Sequence, residues 1–132
     1  MAKGHRSQIK KERNKENKDM RPKAHLRSVR ISDIKARIVL EQIKGKPVRE
    51  AGAILAYNPR YAAYLIGKLL KSAVANAENN LGMDPDKLFV QEVFANRGSS
   101  QYSRFRLRPK ARGQANRIER KVSHISIVLN ER

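Results

Sequence analysis

Arg104, Arg106 and Arg108 stand at alternate positions, with Tyr102 before them in the same row, and Arg117, Arg120 and Lys121 follow after a run of turn-forming residues. A guanidinium is a planar fork of donors that pairs two-pronged with a phosphate and lies flat on an exposed base. Alternation puts the three arginines on one side of an extended strand, opposite Ser103, Phe105 and Leu107. A row of fixed cations like this can track a polyanion along its backbone. Left bare, it would repel itself across a strand pair.

Other reactive side chains do not assemble into a second kind of site. The chain has no cysteine, which removes disulfides, thiolate zinc sites and cysteine nucleophiles together. His5, His25 and His124 are scattered without carboxylates at metal-ligand spacing, and His124, inside an apolar run, reads as a structural residue. Glu41, Glu50, Glu78, Asp84, Asp86 and Glu92 form no paired-carboxylate motif. A phosphate loop is suggested by Gly67-Lys68, but Ala62 stands where its first glycine belongs and Leu69 where its Ser or Thr belongs. The expectation is a chain with no catalytic residue, metal or cofactor, and not an enzyme.

The elements that position the arginines can be read outward from them. Pro109 to Asn116 contains turn residues and no large apolar side chain, so it is expected to be the tip of a hairpin running over about 97–121. Leu88–Phe94 and Ser123–Leu129 are apolar strands that bracket this arm, which predicts one long hairpin rooted in a core. Ala24–Ile31 alternates small or apolar with basic residues and reads as a short edge strand. Three helices lie between. The first follows a Ser32 cap and ends near Lys44 and Gly45, with Ile34, Ile38, Val39 and Ile43 as its expected buried stripe. The second is placed at Val48–Ala56 behind Pro47, burying Ala51, Ile54 and Leu55, and Asn58-Pro59 breaks it. The third, from about Arg60 to Asn79, repeats Ala62, Leu65, Ile66, Leu69, Leu70, Ala73, Val74 and Ala77 at helical spacing. The fold class is therefore α+β.

Charge divides the chain in the same places. The 132 residues carry a formal +18, of which residues 1–37 hold +9, residues 38–96 only +1, and residues 97–121 hold +8. A nearly neutral body thus carries two basic arms that could not build a core of their own. Residues 1–23 are expected to be a flexible extension, and residues 24–132 a single domain. Aromatic residues are 5% and Trp is absent, so backbone and shape recognition of nucleic acid fits better than serial base stacking. The charged N-terminus and the lack of a long apolar segment predict an intracellular protein without a membrane partner. The helices at 48–56 and 60–79 could be taken for a DNA-binding helix-turn-helix. Near its start, however, the second offers Arg60, Tyr61 and Tyr64 but no Asn or Gln to read bases, and its length is suited to packing.

Three stretches together resemble one known family. KARIVLEQIKGK (35–46), LKSAVANAENNLGMD (70–84) and RFRLRPKARGQANRIERKVSHISIVL (104–129) closely resemble the bacterial large-subunit ribosomal protein called L-twenty-two, over about residues 24–132. The resemblance implies three helices packed on a small three-stranded antiparallel sheet, with a long protruding basic hairpin that passes through large-subunit (23S-type) ribosomal RNA. It implies a cytoplasmic, ribosome-bound protein whose partners are that RNA, neighbouring ribosomal proteins and the nascent peptide, with no DNA. By position, Lys110, Ala111, Arg112 and Gly113 would be tip residues lining the peptide exit tunnel, near where macrolides bind. Arg104, Arg106, Arg108, Arg117, Arg120 and Lys121 would be the shaft on RNA phosphates, and Arg27, Arg30, Lys35 and Arg37 would add contacts from the body. Lys110 and Gln114 stand where much of the family has Arg.

Overall fold

The computed structural model describes residues 3–16, 20–100 and 104–132. Three strands form the body's sheet: β1 (Lys23–Val29), β2 (Leu88–Arg97) and β5 (Ser123–Glu131). The order is β1-β5-β2 and both pairings are antiparallel, so the last strand in sequence is the central one. Its apolar content explains the placement. Ile125, Ile127 and Leu129 are fully buried and Val128 nearly so, whereas the edge strand β1 alternates exposed and buried positions.

Helices α2 (Asp33–Ile43), α3 (Val48–Tyr57) and α4 (Tyr61–Leu81) cover the sheet. In α4 the buried residues Ala62, Ile66, Leu69, Leu70, Ala73 and Ala77 follow the spacing read from sequence, with Ala63 in addition. The small Ala73 and Ala77, fully buried, let the helix lie close to its neighbours. Gly82 ends it in the left-handed conformation at φ 64°, its N–H on the Glu78 carbonyl and that of Met83 on Ala77. In α3, Ala51 and Leu55 are buried and Ile54 packs against the core from a half-buried position.

The stripe of α2 differs from expectation. Ala36, Val39, Leu40 and Ile43 are buried, while Ile34 and Ile38 are 59% and 42% exposed. Six of the eleven residues are apolar and nearly encircle the helix, so the largest side chains do not fix its phase; packing against the sheet does. Ser32 occupies the N-cap, but its hydroxyl makes no capping hydrogen bond to the helix backbone.

The arm is a second, two-stranded sheet, β3 (Arg104–Pro109) with β4 (Ala115–Arg120), separate from the body's sheet among the described residues. Pairing in the body ends at Arg97 opposite Ser123, and pairing in the arm begins at Arg104 opposite Arg120. Gly98 closes the root, donating its N–H to the Val122 carbonyl at 2.7 Å. A Cβ at Gly98 would lie 3.1 Å from that oxygen, so a side chain would crowd the junction. Tyr102, counted in the alternating row, lies outside the described residues.

Before β1 the chain forms α1 (Lys3–Glu16), where an unstructured arm was expected. Lys, Arg, Glu and Gln are good helix formers, which accounts for the local conformation. Residues 7–14 are all exposed, so no core holds that stretch of the helix.

Candidate nucleic-acid interface

Directly opposed residues of an antiparallel ribbon share a face, so the register sorts the arm's side chains. Arg104, Arg106 and Arg108 on β3 face Arg120, Ile118 and Asn116 on β4. Phe105, Leu107 and Pro109 face Glu119, Arg117 and Ala115 on the other side. Successive arginines along β3 are therefore about 6.7 Å apart, twice the rise per strand residue. All three are exposed, and among the described residues no carboxylate pairs with them.

Arg117 belongs to the opposite face. Its guanidinium lies over the Phe105 ring, 3.9 Å from the centroid, and its Nε is 4.0 Å from Glu119 Oε1. Glu119 also accepts from Arg97 at 3.2 Å, which ties the root of β2 to the returning strand. This single acid of the arm thus braces the shaft internally; sequence reading counted it as charge without assigning it a place.

Lys110 to Gln114 form the turn, within the 109–116 stretch whose residue types predicted it. Lys110 donates its N–H to the Gln114 carbonyl at 2.7 Å. Arg112 and Gly113 both have positive φ, 59° and 69°, a conformation that costs a non-glycine residue about 1–2 kcal/mol. Residues 110–114 are all exposed.

In the body, Arg30 and Lys35 line a groove beside the arm's root with Arg104, Glu119, Arg120 and Lys121. The groove encloses about 880 Å³, and Ile31, Ser32, Ile38, Arg60, Tyr61 and Ala62 also line it. Arg27 and Arg37 do not line it. Arg27 lies at a smaller hollow with His25, Ser28 and His124, and Arg37 reaches the Ala95 carbonyl at 3.4 Å. Sequence reading missed Ile38, assigned to the core, and weighed Arg60 and Tyr61 only as readers of DNA bases. His124 is structural, as expected: its Nδ1 accepts the Ser28 N–H at 3.0 Å, where β1 bulges and Ser28 takes φ 55°. The second helix of the would-be helix-turn-helix buries residues from Ala62 to Ala77 against the body and so serves as a core helix.

Among the described residues, no cluster of His, Cys, Asp or Glu could hold a metal ion, and no helix is long and apolar enough to cross a membrane. The family model for ribosomal protein L22p/L17e matches residues 24–130, which spans the sheet, the three packed helices and the whole basic ribbon. The chain belongs to this family. The L22p/L17e match begins within β1 and leaves α1 outside. Large ribosomal subunit protein uL22 of Lachnospira eligens is 58% identical over 132 residues, covering all of both chains. The protein of that name from Agathobacter rectalis is 54% identical over 135 residues, again covering both in full. That of Clostridium tetani is 49% identical over 113 residues, 86% of this chain and 99% of its own.

Proposed function

We propose that this protein is a structural constituent of the large ribosomal subunit that binds large-subunit ribosomal RNA with its basic ribbon and the adjoining groove. The observation that carries this reading is the one-sided face of Arg104, Arg106, Arg108 and Arg120 on a ribbon outside the hydrophobic core. Such a ribbon is marginal alone in water, and a folded RNA supplies both counter-charge and walls. The body anchors the protein among neighbouring ribosomal proteins, and the turn at Lys110–Gly113 lines the nascent-peptide tunnel. The basic N-terminal extension, residues 1–23, adds phosphate contacts and orders further on RNA. Its place is the cytoplasmic ribosome, and its work is assembly and architecture, without catalysis, DNA or membrane.

The experiment is ultraviolet crosslinking in cells with a tagged full-length chain, followed by sedimentation. The tagged chain should travel with large subunits and its crosslinked nucleic acid should be large-subunit ribosomal RNA. Crosslinks to chromosomal DNA, with the chain absent from subunits, would refute the reading.

A further inference from the structure

The groove at the arm's root combines two kinds of wall that a duplex would not use together. Arg30, Lys35, Arg60 and Lys121 supply positive charge, and Tyr61 and Ile38 supply apolar surface that is 65% and 42% exposed. A-form RNA turns phosphates and riboses outward and keeps base faces stacked inside, so a duplex laid here would neutralise the cations but leave Tyr61 and Ile38 against polar backbone. An unpaired nucleotide satisfies both: its phosphates meet the cations while its base lies on the tyrosine ring. At about 880 Å³ the groove is within the ~300–1,000 Å³ range of sites that enclose a small ligand.

We infer that this groove captures an extruded, unpaired nucleotide of the RNA, stacked on Tyr61, and so fixes where along the RNA the arm enters. The inference rests on the RNA-binding reading above and adds the recognition element that phosphate contacts lack. Phosphate pairing along the ribbon carries no sequence information, whereas a single extruded base docks at one position. Glu119 also lines the groove and keeps it from being uniformly cationic, with its carboxylate on Arg97 at 3.2 Å.

The test places a benzophenone side chain at position 61 and, separately, at position 107, where Leu107 is 63% exposed on the shaft. Both variants are incorporated into large subunits and irradiated. Position 61 should crosslink to one nucleotide that chemical probing of the subunit RNA finds unpaired. Crosslinks from 61 to paired nucleotides or to protein alone overturn the inference, while RNA crosslinks from 107 in the same experiment leave the broader reading standing. If neither position reaches RNA, both fail. Binding to a protein-free large-subunit RNA transcript adds a second readout: Tyr61→Ala should weaken affinity by roughly ten-fold and Tyr61→Phe by less than about two-fold. Equal losses in the two variants, or none in Tyr61→Ala, would show that no base stacks there.

Discussion

Removing the tip should leave the body's stability almost untouched, provided the cut respects the ribbon's register. Arg108 faces Asn116 and Leu107 faces Arg117, so a two-residue Asn-Gly loop must replace residues 109–115 and join Arg108 to Asn116. Joining Arg108 to Arg117 would slip the register by one and turn the arginine face over. The pair is suitable because Lys110 donates to Gln114, which makes 109/115 a non-bonded pair that tolerates Pro109, and 108/116 the next hydrogen-bonded pair. Residues 109–115 are all exposed, so their loss removes almost no buried apolar area at ~25 cal/mol per Å². Two small terms favour the variant. Shortening the loop from seven residues to two saves about 1 kcal/mol of closure entropy. Replacing Arg112, at φ 59°, relieves less, because the Asn of a type I′ turn also stands at positive φ, though it tolerates that conformation better. The thermal midpoint of the free protein, followed by circular dichroism, should therefore stay within about 5 °C of the parent. Large subunits carrying the variant should assemble while passage of nascent chains changes. A fall of more than about 10 °C would refute the separation of an RNA-directed arm from a self-sufficient body.

The remaining expectations concern the body. Gly98→Ala should cost about 1–2 kcal/mol in urea denaturation, because the new Cβ would sit 3.1 Å from a backbone oxygen; an unchanged midpoint would mean that the root yields freely. His124→Ala should cost about 1–3 kcal/mol by leaving the Ser28 N–H unpaired, and amide exchange at Ser28 should rise; unchanged exchange there would contradict the pairing. Leu40→Ala should lose about 2–5 kcal/mol while Ile34→Ala loses under about 0.5, which separates the observed stripe of α2 from the one its largest side chains suggest. Equal losses would restore the sequence-based stripe.

The elements with strong periods were legible in the sequence. In α4 the apolar residues recur at helical spacing on one face, with polar residues between, and the buried set follows. In the ribbon, alternation and the turn residues of 109–116 located the arginine face and the tip. The phase of α2 was hidden because apolar residues lie on opposite sides of it, Ile34 and Ile38 on one and Ala36, Val39, Leu40 and Ile43 on the other. The root of the arm was hidden for a different reason: where the body's pairing stops, at Arg97 with Ser123, and the ribbon's starts, at Arg104 with Arg120, is set by contacts between distant segments, and the sequence from Arg97 to Ser103 has no alternation to announce it. The acceptor role of His124 depends on a backbone N–H 96 residues away, at a bulge with no sequence signature. The groove was hidden with the phase of α2, since Ile38 lines it only because the buried stripe is rotated.

The central claim is that the arginine face of β3 neutralises RNA phosphates, and the salt dependence of binding measures it directly. Affinity for large-subunit ribosomal RNA should be titrated against salt for the parent, for Arg104→Gln/Arg106→Gln/Arg108→Gln, and for Arg117→Gln. Each lost phosphate contact flattens the slope of log affinity against log salt by ~0.7–0.9, so the triple variant should flatten it by about two to three units. Arg117→Gln should change it by less than one such step, because that guanidinium is held on Phe105 and beside Glu119. A slope in the triple variant equal to the parent's would contradict the account.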